Sequence, residues 1–477
     1  MYKFKLQRYL IVLGIGLAAA SCKAPAGTTG NAARPAPESY GSNRDTTNIS
    51  TIPYRDFFKD QNLVDLIDTA MKNNQELMVT LQDIEIAKND VRLRKGALLP
   101  TVGVRAGAGI EKVGRYTSQG AGDASADIIP GKEVPENLMN YTLGVEANWE
   151  IDIWKKLRNS KKAAISRYLS TIEGKNFVLT NLVAEIANSY YELQSLDSQM
   201  DIVKQNIKLQ KNALEIVKVQ KEAMRATELA VQKFRAEVLA SQSREFEILQ
   251  KIKEEENNIN FLLGRYPQEI KRDKSNFLDL TPLAVNAGIP AQLLANRPDI
   301  KQAELDLAAA KLDVKVARAE FYPSLDISAA LGLEAFRPSY LFKIPKSVLY
   351  SLAGDLAGPL VNRNAIKAEF NSANARQLQS MYNYQRIILN AYMEVSKELS
   401  NIDNLGKSYD LKSQQVDALN RSIEVSNDLF KSARADYFEV LMTQRDALES
   451  KLELVETKKE QLNAVVNVYK ELGGGWK

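Results

Sequence analysis

The sequence predicts a mainly α protein with a smaller amount of β, in which one helix–hairpin–long-helix unit is written twice. Three observations carry that prediction. Two windows 223 residues apart align without a gap. Each window carries a proline near its end, after which apolar and polar residues alternate strictly. Each is followed by a helical run of about 70 residues without proline, from about Lys155 to Met224 and from about Asn364 to Ala433.

Composition narrows the function classes. The chain has 477 residues, 63 basic and 59 acidic side chains, one cysteine and no histidine. Near-balanced charge argues against a nucleic-acid footprint, which needs a basic excess. The absence of histidine removes His-based acid–base catalysis, Ser-His triads and His-ligated metals. One cysteine makes neither an internal disulfide nor a cysteine cluster. The nine methionines are scattered and form no metal relay, and the GGG run at Gly473 to Gly475 follows a helix instead of opening one, unlike a phosphate cradle. No catalytic residue, cofactor or metal is expected.

The N-terminus, MYKFKLQRYLIVLGIGLAAASCKAPAG, reads as an export signal. Lys3, Lys5 and Arg8 are its basic region, and Leu10 to Ala20 is an apolar core too short to span a bilayer as a mature helix. Small residues before Cys22 resemble a bacterial lipobox, with Ala19 where Leu is usual. Residues 1–21 are then the signal peptide and Cys22 the lipidated first residue. A plain signal peptide that leaves an idle thiol is the alternative. Residues 22–55, rich in Pro, Gly, Ser, Thr and Asn, form a tether.

The first unit occupies 56–263. Its window KNNQELMVTLQDIEIAKNDVRLRKGALLPTVGV, from Lys72, aligns with ANRPDIKQAELDLAAAKLDVKVARAEFYPSLDI, from Ala295. Asn73 matches Asn296, Asp90-Val91 matches Asp313-Val314 and Pro100 matches Pro323. The repeat is far longer than a solenoid unit of about 20–50 residues, so it is a duplicated half. Pro100 and Pro323 mark helix-to-strand breaks.

Four alternating segments follow these breaks, at about 100–113, 138–152, 323–335 and 347–358. In the second, Tyr141, Leu143, Val145, Ala147, Trp149 and Ile151 oppose Thr142, Gly144, Glu146, Asn148 and Glu150. Period two over such a length predicts strand. About ten residues suits a tilted membrane span. Trp149, Trp154, Phe321, Tyr322, Phe336 and Tyr340 lie near strand ends, where an interfacial aromatic belt would sit. Two ordinary hairpins covering a soluble core are the alternative. A membrane reading forces oligomerisation, because the edges of an open four-stranded sheet would expose unpaired backbone groups to hydrocarbon.

The long helices are expected at about 155–224 and 228–263 in the first half. A linker at 264–292 leads to the second unit, 293–472, whose helices are expected at about 364–433 and 436–472, and a tail covers 473–477. At 1.5 Å per residue, seventy residues make on the order of 100 Å of helix. Ile202, Val203, Ile207, Leu214, Ile216, Val217 and Val219 mark one apolar stripe. Val231, Phe234, Val238, Ile248, Ile252, Ile259 and Leu262 recur at coiled-coil spacing on the return. Gly406 and Lys407-Ser408 mark an expected irregularity. At the two helical tips Glu228 and Asp436 are read as equivalent acids opening a returning helix, where capping and dipole compensation also favour acids.

These residues resemble the TolC-like outer-membrane efflux proteins, in particular the lipidated outer-membrane factors of multidrug pumps. The resemblance is carried by LLANRPDIKQAELDLAAAKLDVKVARAEFYPSLDISAALG from Leu293, by WEIDIWKKLRNSKKAA from Trp149, by GPLVNRNAIKAEF from Gly358 and by the ending LGGGW, Leu472 to Trp476. It implies a homotrimer: a twelve-stranded outer-membrane β-barrel continued by a periplasmic α-helical barrel. It implies the passive exit duct of a tripartite pump in a Gram-negative outer membrane. The partners would be outer-membrane lipid, a periplasmic adaptor and an inner-membrane transporter of the RND type. Asp436 matches a family tip aspartate, which would form an acidic ring at the gate, with Glu228 as its pseudo-repeat. Arg225 and Arg434 would hold the closed state or meet the adaptor; ordinary surface arginines are the alternative. Ala226 and Ala433 to Ala435 stand where the family often has a tip glycine. A type I protein-secretion duct, a metal exporter and a non-channel periplasmic coiled-coil scaffold are the other readings.

Overall fold

A computed structural model describes residues 37–40, 46–274, 277–358, 363–432 and 434–476. Cys22 and the signal peptide lie outside the described residues. The chain divides into two units. Among the described residues, one comprises 86–168 and 305–381, and the other 37–85, 169–304 and 382–476. The main elements are α1 (Gln61–Asn73), α2 (Gln75–Gly96), β1 (Thr101–Glu111), β2 (Leu138–Ile151), α3 (Lys156–Glu222), α4 (Glu228–Leu262), α5 (Pro298–Ala319), β3 (Ser324–Ala335), β4 (Val348–Ala357), α6 (Asn364–Lys431) and α7 (Tyr437–Glu471). Helices α2, α3, α5 and α6 contribute residues to both units. Helix α6 runs unbroken through Gly406, so the expected irregularity is absent: one glycine costs about 1 kcal/mol, which a 68-residue helix absorbs.

The first unit is built on one antiparallel sheet of order β1-β2-β3-β4. Its central pairing, β2 with β3, joins the two repeats. Gly144 lies opposite Gly332 there. A Cβ on either glycine would sit 2.8 Å from the other's Cα, so the two backbones approach in a way that only glycine permits. Where helix gives way to strand, Val314, Ala317, Phe321, Phe370 and Ala373 form a small core. Phe321 is therefore a core residue packed edge-on against Phe370, not part of an aromatic belt.

The second unit holds the main core. Leu63, Ile67 and Ala70 of α1 pack with Ile186, Tyr190 and Leu193 of α3, Ile259 of α4, Val395 of α6, and Val468 and Tyr469 of α7. Phe57 stacks on Tyr469 at 4.0 Å. Further along α3, Leu196, Met200, Val203 and Ile207 step by fours and threes and bury against Ile248 and Leu448. Leu214 and Val217 continue the row into a core at the helical tips, with Val231, Phe234, Val238, Val440 and Leu441. Ile216 and Val219, expected on the same stripe, stay exposed on another face.

The sequence motifs LLANRPD and LGGGW meet in this unit. Gly473, at φ +87°, sits where a Cβ would be 2.6 Å from the carbonyl oxygen of Asn296. Arg297 is buried and carries two hydrogen bonds to Asp299, at 3.0 and 2.7 Å. It also donates to Glu394 at 2.8 Å, and to the Glu471 carboxylate and carbonyl at 3.0 Å each. Burial, with Glu471 alongside, raises the Glu394 carboxyl above the usual range. Glu471 is partly buried too, but a hydrogen bond from Glu394 and the charges of Lys470 and Arg297 hold it below that range. The inter-repeat linker is pinned in the same manner: buried Arg272 pairs with Asp197 at 2.5 Å and Glu256 at 2.8 Å.

Candidate functional site

Two places carry the functional reading: the faces of the sheet and the helical tips. Among the described residues no helix is long and apolar enough to cross a membrane. The sheet presents the other kind of surface. Its registers align Val104 with Val145 and Leu331, then Leu331 with Tyr350, on one face. Val102, Val104, Ile110, Leu331, Tyr350, Leu352 and Leu356 on that face are exposed. The opposite face aligns Thr101, Asn148, Ser328 and Ala353 across all four strands. It carries Arg105 3.6 Å from Glu146, and Asn140 bonded to Glu334 at 2.5 Å. Glu150, Asp326 and Asp355 lie side by side on it in register. One face thus suits hydrocarbon and the other water. Strands of 10 to 14 residues match a tilted span of ~9–11. Among the described residues β1 and β4 are edges, each paired on one side only.

At the helix-bearing ends of the strands the two breaks are built alike. Helix α2 ends at Gly96 and α5 at Ala319, so each stops four residues before its proline, Pro100 or Pro323. A proline disfavours helix in the residue before it, and the intervening turn completes the stop. Trp149 Nε1 donates to the Leu98 carbonyl at 3.1 Å, and Trp154 Nε1 to the Pro323 carbonyl at 2.7 Å. Trp154 also stacks on Tyr322 at 4.7 Å. Each indole is half-exposed with its N–H satisfied, as interfacial tryptophans are.

The tips correct one expectation. Glu228 is the first residue of α4; its cap is Thr227, whose hydroxyl accepts from the Ala230 amide at 3.3 Å. Asp436 is itself the cap position of α7. The equivalent of Asp436 is therefore Thr227, and Glu228 corresponds to Tyr437. The two acids also differ in surroundings. Glu228 accepts from Gln232 at 2.5 Å and pairs with Lys221 across the turn. The Gln232 hydrogen bond, then Lys221, lowers its carboxyl pKa. Asp436 is exposed, and its carboxylate makes no capping bond. Arg225 and Arg434 are exposed, and their backbone amides close the two turns onto Gln220 and Leu429 at 2.8 Å each.

An exposed apolar strand face with a polar reverse, joined to two long helical hairpins, is the pattern of an outer-membrane channel. The chain belongs to the outer membrane efflux protein family, whose model matches residues 66–265 and 289–474. It is 28% identical over 411 residues to the pyoverdine export outer membrane protein OpmQ of Pseudomonas aeruginosa, covering 86% of this chain and 85% of that one. Identity is 27% over 446 residues to the toluene efflux pump outer membrane protein TtgI of Pseudomonas putida, covering 93% and 92%. It is 24% over 429 residues to the cation efflux system protein CusC of Escherichia coli, covering 90% and 89%. A crystal structure of CusC superposes with a TM-score of 0.82 at 23% identity, over 95% of this chain and 99% of that one. The fold is thus that of the outer-membrane efflux channels, and the protein is an efflux channel of the outer membrane.

Proposed function

We propose that three copies of this chain pool their strands into one closed twelve-stranded barrel, and that their helices continue it as a periplasmic tunnel. The supporting observation is the sheet, whose two edges are unpaired among the described residues and whose apolar face is exposed. Edges of that kind are untenable in hydrocarbon, and closure removes them. The helices add to the case. Ile216, Val219, Phe246, Leu389, Met393 and Leu411 are exposed apolar residues on helices, and neighbouring copies would cover them. Native mass spectrometry of the detergent-purified protein should give three chains. A monomer or dimer as the sole species would contradict the trimer.

The duct is passive. It receives substrate from a periplasmic adaptor and an inner-membrane transporter of the RND type, which supplies the energy. Asp436 is the gate acid. Its freedom from capping and its exposure suit a threefold ring at the axis, where like charges narrow and filter a pore. Glu228, held by Lys221 and Gln232, stiffens the neighbouring tip instead. Arg225 and Arg434 at the turns meet the adaptor. Cys22 carries the lipid anchor. The relatives named for pyoverdine, toluene and cations share the duct and differ in cargo, so the cargo of this chain is set by its transporter.

A further inference from the structure

The two loops at the far end of the sheet, away from the helix-bearing ends, differ in charge. The longer, 112–137, carries charges of both signs. Lys112 pairs with Glu136 at 2.8 Å, and Arg115 donates to the carbonyls of Gly120 and Val134. It holds Lys112, Arg115 and Lys132 against Asp123, Asp127, Glu133 and Glu136. The shorter, 336–347, holds Arg337, Lys343 and Lys346 and no carboxylate at all. Among the described residues none of these three cations forms an ion pair. Two of them lie against rings instead. Arg337 is 6.0 Å from the Phe336 centroid and Lys343 is 4.4 Å from that of Tyr340. Phe336 and Tyr340 pack edge to face at 5.3 Å. Phe342 and Ile344 flank Lys343, each 70% exposed.

We propose that the 336–347 loop docks on the phosphates of anionic glycolipid in the outer leaflet of the membrane. The inference rests on the strands spanning that membrane. Strands β3 and β4, with 12 and 10 residues, are long enough to bring the loop to headgroup level. Aromatic rings favour that layer. Unpaired cations there are attracted to anionic headgroups, and the exposed Phe342 and Ile344 leave water at the acyl boundary. Two cations near the helix-bearing ends are neutralised by carboxylates: Lys156 pairs with Glu150 at 2.6 Å and Arg158 with Asp152 at 2.8 Å. The unpaired, acid-free loop therefore stands out as a surface matched to anions.

The test is native mass spectrometry of the full-length protein titrated with bisphosphorylated lipid A, its dephosphorylated form or phosphatidylcholine. Wild type is expected to retain lipid A in preference to the other two. The Arg337→Gln/Lys343→Gln/Lys346→Gln variant is expected to lose about tenfold or more in apparent affinity. The Phe342→Ser/Ile344→Ser variant is expected to lose affinity for both glycolipids alike. Variants that bind lipid A as wild type does, while keeping the wild-type oligomer and conductance, would overturn the proposal and leave the channel reading intact. A wild type that neither assembles nor conducts would overturn the channel reading and this inference with it.

Discussion

Arg297 shows how a single side chain ties the two ends of the second repeat together. It is buried against Asp299, Glu394 and Glu471. Removing it leaves carboxylates without their cation, so Arg297→Ala should cost about 3–5 kcal/mol in chemical denaturation. A cost within experimental error of zero would refute the role. Glu394 allows a finer test. A carboxyl whose folded pKa is raised stabilises the fold below its unfolded pKa, and that contribution is lost as pH rises through the folded value. Glu394→Gln keeps the uncharged form at every pH. Its thermal midpoint should therefore gain on wild type as pH rises from about 4 to about 7; a constant offset would contradict the raised pKa. The motifs around Arg297 were legible as family marks, but their meeting was not. Nothing in local pattern says that Gly473 backs onto Asn296, because that contact is set by tertiary approach. At the tips, the composition ATEL against ADYF suggested paired acids. Cap geometry, invisible without the turn, makes Thr227 the counterpart of Asp436.

At the scale of elements, period two and period seven were read directly from the chain, because each reports which face is buried. All four strands lie within two residues of where alternation placed them. Strand order was not legible, since alternation specifies a face and not a neighbour. The structure pairs β2 with β3 across the repeats, through Gly144 and Gly332. A Cβ at Gly332 would lie 2.6 Å from the Leu143 carbonyl oxygen, and backbone there has little room to yield. Gly332→Val should abolish the compact, heat-modifiable species on a semi-native gel. Gly354→Ala, with open space around its site, should leave it unchanged. Equal behaviour of the two variants would show that the close approach is not required. The exposed Ile216 and Val219 make the complementary point. The sequence shows an apolar residue, but only the packed helix shows whether its own chain or a neighbour's must cover it.

For the whole molecule, composition excluded histidine chemistry, and duplication announced two equivalent helix-to-strand passages. The number of copies could not come from one chain's pattern, because closing a barrel is a property of the assembly. The proposed assembly is a conducting channel narrowed at its tips by Asp436. Single-channel recording of the purified protein in a planar bilayer, for wild type and Asp436→Ala, puts both conduction and gate to the test. Stepwise currents are expected in both, with larger or more frequent openings in the variant as the acidic ring is removed. The absence of steps from both proteins would contradict it.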